Sequence, residues 1–156
     1  MTTTTMREQQ TPNLLKPLPP DESVRRRMQA TSQRDTPPEL ALRRALHARG
    51  LRYRVDYPPI QGVPRRADIV FRRARVAVFV DGCFWHGCPV HGTLPKKNRG
   101  WWIAKLDANR TRDGDTDRQL RAGGWLSLRF WEHDDPGNAA DRVLTAVRSR
   151  SERETA

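Results

Sequence analysis

One segment of the chain combines the pattern of a buried strand with a dense group of potential metal ligands. The run 76–80, Val-Ala-Val-Phe-Val, is continuously apolar, as expected of a strand that is covered on both faces. The eleven residues 82–92 follow almost directly and contain both cysteines of the chain, two of its four histidines and the pair Phe84-Trp85. This order predicts a central strand with chemically active side chains at its end.

Hydrophobic periodicity and turn residues predict the remaining elements. A helix begins after Thr36, which can cap it, with Glu39 at the capping-box position, and it ends at Gly50. Strands are predicted at 51–55, 67–71, 76–80 and 125–131, and further helices at 99–122 and 139–150. Gly114 lies inside the helix at 99–122 and could kink or shorten it. The order of elements indicates the α/β class, with a mixed sheet flanked by helices.

The length of 156 residues suits a single domain. Residues 1–22 are rich in threonine and proline and are expected to form a disordered tail, residues 23–150 the folded domain, and residues 151–156 a flexible C-terminal tail. No apolar run approaches the ~20 residues of a membrane span, and the polar start lacks a signal-peptide core. We therefore expect a cytoplasmic protein with no membrane contact.

The net charge of the chain indicates what kind of partner it binds. Lysine and arginine total 29 against 18 acidic residues, which gives a formal net charge of +11. Such a surface favours polyanions, because each neutralised phosphate releases condensed counterions. The alternative is the basic surface of a protein from an arginine-rich proteome, since the arginines are spread along most of the chain.

The spacing of cysteine and histidine is typical of a structural zinc site. Cys83, Cys88 and His91 supply three nitrogen or sulfur ligands within nine positions, and His133, just beyond a predicted strand, is the natural fourth. His47 lies mid-helix and is expected at the surface. Two alternatives remain: that the cysteines are buried and free, or that His86 is a ligand in place of His91.

Three further residues are candidates for catalysis. Asp68 is an acid among apolar strand residues, where it would be either paired with a nearby arginine or bound to Mg²⁺. His86 could face away from the zinc ligands and act as a rigidly held base. Glu39 could combine its capping role with one near the sheet, and Asp81 could be a further acid or a turn residue.

The pair Phe84-Trp85 sits between Cys83 and His86. Large apolar side chains on a basic platform can wedge between base pairs and unstack them. The alternative is packing in the core, which we expect of the tryptophans on regular elements, namely Trp101, Trp102, Trp125 and Trp131.

These residues together resemble the very short patch repair endonucleases. The resemblance is carried by Asp68 and by the string from Asp81 to His91, and it covers roughly residues 23 to 135. It also includes these positions: Met28, Arg34-Asp35-Thr36, Glu39, Pro95-Lys96-Lys97-Asn98, Trp102, Lys105, Asn109, Arg112-Asp113, Gly123-Gly124-Trp125 and Trp131-Glu132.

The resemblance implies a restriction-endonuclease-like fold with a structural zinc site. It implies a bacterial, cytoplasmic enzyme, monomeric and associated with the nucleoid through DNA, that nicks one strand of double-stranded DNA 5′ to the thymine of a T:G mismatch. Such mismatches arise when 5-methylcytosine is deaminated, so the resemblance also implies a functional link to a cytosine-5 DNA methyltransferase.

Roles for individual residues follow from the same resemblance. Asp68 and the main-chain carbonyl of Val80 would bind Mg²⁺, His86 would help to activate water, and Glu39 would support the histidine or the hydrated metals. Phe84, Trp85 and Met28 would form the intercalating wedge, and the zinc ligands would be Cys83, Cys88, His91 and His133. Valine stands at position 80 where threonine can occur, and histidine at 133 where cysteine can occur.

Two rival functions remain open at the level of the sequence. One is a nuclease of the same fold that acts on different DNA. The other is a zinc-stabilised DNA-binding module without catalysis.

Overall fold

The computed structural model describes residues 21–30 and 34–155. Most of the predicted N-terminal tail, residues 1–20, lies outside the described part. The described chain forms eight elements, which are α1 (Glu22–Ala30), α2 (Pro37–Ala48), β1 (Arg54–Tyr57), β2 (Ala67–Phe71), β3 (Val76–Asp81), α3 (Arg99–Ala122), β4 (Leu126–Trp131) and α4 (Pro136–Thr155). The predicted α/β class and the central strand at 76–80 are confirmed.

The four strands form one mixed sheet in the order β1-β2-β3-β4. The β1–β2 and β2–β3 pairs are antiparallel, as short connections require. The β3–β4 pair is parallel, with Asp81 opposite Trp131, because helix α3 carries the chain back to the start of the sheet. The loop after β3 and the loop after β4 therefore leave the sheet at the same edge.

Apolar residues on the two faces of the sheet pack against different helices. Ile69, Val76 and Val78 pack with residues of α2 and α4, among them Leu46 and Val143. On the other face, Val70, Ala77 and Phe79 pack with Leu120 of α3. The sheet is thus enclosed by α2 and α4 on one side and by α3 on the other. None of the helices in the described ranges is long and apolar enough to cross a membrane.

Several boundaries differ from those predicted. The first strand is Arg54–Tyr57 rather than 51–55, because Leu51 and Tyr53 pack into the core without joining the ladder. Helix α4 begins at Pro136, where the Asp135 carboxylate accepts a hydrogen bond from the Asn138 amide at 2.9 Å. It continues to Thr155, so residues 151–155 are helical where a flexible tail was predicted.

Helix α1 was not predicted from the sequence. The Asp21 carboxylate caps it by accepting hydrogen bonds from the Ser23 hydroxyl at 2.5 Å and the Val24 amide at 3.0 Å. Its other oxygen accepts from Asn98, at the start of α3, and lies 3.4 Å from the Lys97 ammonium. The Ser23 hydroxyl, the Val24 amide and Lys97 hold the pKa of Asp21 well below its usual range. The cap therefore ties α1 to the beginning of α3.

Helix α3 passes through Gly114 without a break, contrary to the predicted kink. A Cβ added at Gly114 would meet only the Arg118 guanidinium, at an ordinary 3.8 Å. We expect Gly114→Ala to raise the free energy of unfolding by ~0.5–1 kcal/mol, because alanine loses less backbone entropy in a helix. Urea unfolding measures this.

Gly124 provides the matched control. Its φ of +82° is unfavourable for alanine, and an added Cβ would lie 3.2 Å from Arg75. Gly124→Ala should therefore lower the free energy of unfolding by ~1 kcal/mol or more. Opposite signs are expected for the two variants, and a loss of stability in Gly114→Ala would contradict an unstrained helix at that position.

Candidate active site and metal-binding cluster

Asp68 lies where β2 and β3 separate. The Val80 amide donates a hydrogen bond to Oδ2 of Asp68 at 2.7 Å, beyond the last paired residues Ile69 and Val78. The N–H and C=O of one strand residue point to the same edge, so the Val80 carbonyl also lies on the Asp68 side of β3. Asp81, the next residue, uses its carbonyl on the other edge, where it accepts from the Glu132 amide at 2.9 Å.

Asp68 has two acidic neighbours. Burial, together with the negative charges of Glu39 and Asp81, raises the pKa of Asp68 to about 6, against the lowering effects of the Val80 amide and Arg43. Partly buried carboxylates that repel one another fit a site for a hard divalent cation, which favours oxygen ligands. The Asp68 carboxylate and the Val80 carbonyl supply such oxygens at one point.

Glu39 is buried and does not take part in a capping box. Thr36 is the N-cap residue of α2 but makes no side-chain capping hydrogen bond, so that prediction was wrong. Instead the Glu39 carboxylate lies 3.4 Å from the Arg43 guanidinium, which also pairs with Asp35 at 2.7 Å. Pro37 and Pro38 start the helix without help from Glu39, which leaves its carboxylate beside the sheet.

His86 forms a short pair with Asp113 of α3. Its Nδ1 lies 2.5 Å from Oδ2 of Asp113, and its Nε2 lies 3.8 Å from Oδ1 of Asp81. A carboxylate can only accept, so Nδ1 carries the proton and Nε2 is the nitrogen left for chemistry. The imidazole is thus oriented by one acid and faces another.

The electrostatics of this pair favour the charged histidine. Burial lowers the pKa of His86, but the hydrogen bond to Asp113 and the charge of Asp81 outweigh it and leave the pKa above its ordinary value. Burial raises the pKa of Asp113, yet the His86 contact brings it below the usual value. Burial also raises the pKa of Asp81. A proton accepted by His86 would be stabilised.

Sequence reasoning did not identify Asp113 as the partner of His86. Asn109, one helical turn earlier on α3, donates to the Trp85 carbonyl at 2.8 Å and is buried. Asn109, Asp113 and Asp117 recur every four residues, which places them on one face of a helix. That polar stripe at helical spacing was the available signal.

The two cysteines and two histidines converge on one point. The Nδ1 of His133 lies 3.1 Å from Sγ of Cys83, 3.9 Å from Sγ of Cys88 and 3.1 Å from Nδ1 of His91. Ligands around one tetrahedral zinc ion are roughly 3.3–3.8 Å apart, and these separations lie within about 0.2 Å of that range, so small side-chain adjustments would let all four ligands reach one ion. His86 is not in this group, since it pairs with Asp113.

Backbone hydrogen bonds give the metal-ligand loop its shape. The Cys88 amide donates to the Cys83 carbonyl and the Gly92 amide to the Cys88 carbonyl, each at 2.9 Å. The Cys83 amide donates to the Glu132 carboxylate at 3.1 Å, which fastens the loop to the end of β4. Burial raises the pKa of the Cys83 thiol to about 11, so binding of a metal would release protons.

The residues of the predicted wedge rest on a buried tryptophan. The rings of Phe84 and Trp85 lie 5.1 and 5.8 Å from that of Trp102, which is 1% exposed. Phe84 and Trp85 themselves are half-buried, as is Met28 on α1. Trp102 is in the core as predicted, whereas Trp101, Trp125 and Trp131 are half-buried. His47 is exposed, as predicted.

Comparison with known proteins places this chain in a family. The model of the family described as "DNA mismatch endonuclease Vsr" matches residues 21–91. The "Type II nicking enzyme V.NaeI" of Lentzea aerocolonigenes is 44% identical over 133 residues, which span 84% of this chain and 80% of that protein. The "Type II nicking enzyme V.NmeDIP" of Neisseria meningitidis serogroup C is 43% identical over 79% of this chain and 84% of that protein.

A further relative carries the family name itself. The "DNA mismatch endonuclease Vsr" of Escherichia coli (strain K12) is 34% identical over 107 residues, which span 67% of this chain and 66% of that protein. The chain belongs to the Vsr family and is a DNA endonuclease.

Proposed function

We propose that this protein is a Mg²⁺-dependent mismatch endonuclease that nicks one DNA strand 5′ to the thymine of a T:G pair. The observation that carries the proposal is the position of two groups at the end of β3, namely Asp68 with Val80 and the His86–Asp113 pair, with Asp81 near both of them. The name of the E. coli relative supports action on mismatches. Its substrate would be the T:G pair left when 5-methylcytosine is deaminated, which would link the protein functionally to the cytosine-5 DNA methyltransferase that makes 5-methylcytosine.

Asp68 and the Val80 carbonyl would hold the catalytic cation. Bound Mg²⁺ would lower the pKa of the attacking water and offset the charge on the phosphate. Glu39 is buried beside these groups, and its Oε2 pairs with Arg43. Its other oxygen would accept hydrogen bonds from water in the site.

His86 is the proposed acceptor or relay of the proton from the attacking water. In the neutral imidazole, Asp113 keeps the proton on Nδ1, so the lone pair of Nε2 is free to accept one. The raised pKa of His86 favours retention of the proton until it can be passed on. The interaction with Asp113 also limits rotation of the ring, as a preorganised base requires.

The proposed wedge consists of Phe84, Trp85 and Met28. Phe84 and Trp85 lie on a loop whose backbone accepts a hydrogen bond from Asn109. Their rings pack against the ring of Trp102. Insertion costs less at a poorly stacked mismatch than at a matched pair, so unstacking energy supplies a few kcal/mol of discrimination. Zinc bound by Cys83, Cys88, His91 and His133 would keep this loop rigid.

A second candidate is a strand-nicking enzyme of the same family with a different preferred DNA. Two relatives are named as type II nicking enzymes, without mention of a mismatch, and this favours the second candidate. The DNA substrate separates the two candidates.

We expect Mg²⁺-dependent nicking of T:G duplexes to be at least ~10-fold faster than nicking of matched T:A and C:G duplexes, because a mismatched base pair costs less free energy to unstack. The measurement uses end-labelled duplexes that differ at one position, within pools of randomised flanking base pairs, with and without Mg²⁺. Equal nicking of all three duplexes would exclude the mismatch specificity and leave the second candidate.

Asp68→Asn should lose nicking by ~10²-fold or more, because it removes the anionic metal ligand. The same change should stabilise the protein in Mg²⁺-free buffer by up to about 3 kcal/mol at pH 7.5. The pKa of Asp68 in the folded protein, about 6, lies above its ordinary value of 3.8. Above pH 6 the charged carboxylate therefore lowers the free energy of unfolding by the full amount. This effect decreases between pH 6 and pH 4 and is absent below pH 4.

Urea unfolding of wild type and Asp68→Asn at pH 4 and pH 7.5 measures this difference. Asp107→Asn, at an exposed position of α3, is the control and should change neither stability nor nicking. A stability gain in Asp68→Asn of the same size at both pH values would show that the carboxylate is not held at a raised pKa.

Cys83→Ser should abolish zinc binding and strongly destabilise the fold, because structural zinc contributes ~10 kcal/mol or more of apparent binding free energy. His86→Ala should keep its zinc and its fold but lose nicking. Elemental analysis and thermal unfolding of the purified proteins distinguish the two. Zinc-free wild-type protein would refute the zinc site, and loss of zinc in His86→Ala would make His86 a ligand.

A further inference from the structure

Arg129 on β4 makes an unusual number of polar contacts for one side chain. Its Nε lies 3.0 Å from both carboxylate oxygens of Asp117, and its Nη1 lies 3.2 and 3.3 Å from the two oxygens of Asp81. The guanidinium also lies 4.2 Å from the ring centroid of Phe79, its neighbour in the parallel ladder. Arg129 is only 21% exposed, so these contacts are partly shielded from water.

The same guanidinium also reaches Asp113. Its Nη1 lies 3.8 Å from Oδ1 of Asp113, and its Nη2 donates to the main-chain carbonyl of that residue at 3.4 Å. Asp113 contacts Nδ1 of His86, and Asp81 is the acid nearest to Nε2. Arg129 is therefore bonded to both acids that flank the imidazole, one on β3 and one on α3.

The charges of the group make this arrangement depend on Arg129. Asp81 and Asp113 are like charges that face the same imidazole, and Asp81 is 8% exposed. Without a cation between them, the two carboxylates would repel each other, and Asp81 would be buried without the donor that contacts both of its oxygens. The planar guanidinium, fixed at its other end by Asp117, sets where both carboxylates stand. Asp117 is in turn held by the Ser127 hydroxyl at 2.8 Å.

We propose that Arg129 is a positioning residue for strand nicking, which holds Asp81 and Asp113 so that together they fix the His86 ring with Nε2 available to the reacting water. The inference rests on the proposed catalytic role of His86. It also assigns Asp81 to the orientation of His86 rather than to the binding of metal, since its carboxylate is engaged by Arg129 on both oxygens.

The competing interpretation is an ion pair that only joins β4 to α3. A variant with a purely structural effect provides the comparison. Arg49 is similarly half-buried and joins α2 to α4 through Asp141 at 2.8 Å and the Gly137 carbonyl at 3.2 Å. Arg49→Met therefore removes a comparable guanidinium away from His86.

The experiment compares Arg129→Met with Arg49→Met in single-turnover nicking of the duplex that wild type cuts fastest. We expect Arg129→Met to nick ~10–100-fold more slowly, since a displacement of about 1 Å at a catalytic group has an effect of this order. DNA affinity and zinc content should stay within about 2-fold of wild type. Arg129→Lys, which keeps the charge but not the fork, should recover part of the rate. Arg49→Met should lose stability but not nicking rate.

A double variant tests whether Arg129 acts through His86. If it does, His86→Ala/Arg129→Met nicks no more slowly than His86→Ala, because nothing remains to be positioned. Multiplied losses in the double variant, or a wild-type rate in Arg129→Met, would overturn the inference. If Arg129→Met does not fold, Asp117→Asn takes its place. Asp117→Asn should nick more slowly than wild type, but His86→Ala/Asp117→Asn should nick as fast as His86→Ala. A wild-type rate in Asp117→Asn would overturn the inference. An active His86→Ala protein would overturn the proposed role of His86 as well, so the two failures are distinguishable.

Discussion

The parallel pairing of β3 with β4 is the constraint on which the rest of the site depends. Because Asp81 stands opposite Trp131, the loops that follow the two strands leave the sheet side by side. Cys83 and His133 are fifty positions apart in the chain, yet their side chains lie 3.1 Å apart. The same pairing sets Arg129 beside Phe79 and within reach of Asp81. A one-residue slip would turn these side chains to the opposite face of the sheet.

The second determinant is unfavourable electrostatics that the fold tolerates. Glu39, Asp68 and Asp81 lie close enough that the negative charges of the other two raise the pKa of Asp68. Leu46, Val78 and Val143 are fully buried in the core around the sheet. The stability from this core offsets the repulsion among the three carboxylates. Removal of such a charge stabilises many proteins and abolishes their activity, which is typical of functional sites.

The sequence predicted the parts of the structure that depend on local pattern. The apolar run at 76–80, the helix bounded by Gly123-Gly124 and the cysteine and histidine spacing all carry their signal within a few residues. His133 directly follows a strand, and the structure places it beside Cys83, Cys88 and His91. The roles of the individual site residues remain proposals.

Contacts between distant elements were not predictable in this way. Asp113 meets His86 because α3 lies across the sheet at a particular height, and Arg129 reaches Asp81 because β4 pairs with β3. Neither arrangement is encoded in a local pattern. Glu39 has the spacing of a capping residue, but burial beside Arg43 decides its contacts instead. Leu51 and Tyr53 alternate like strand residues and pack into the core outside the ladder.

The stripe on α3 has a geometric consequence for the proposed reaction. Asn109 holds the backbone of Trp85 and Asp113 holds the ring of His86, and four residues of helix separate them by about 6 Å along the axis. If Trp85 and His86 have the proposed roles, the distance from the inserted ring to the base would be fixed by one turn of helix rather than by a flexible loop. The position of the nick relative to the distorted base step would then depend on the spacing of Asn109 and Asp113 along α3.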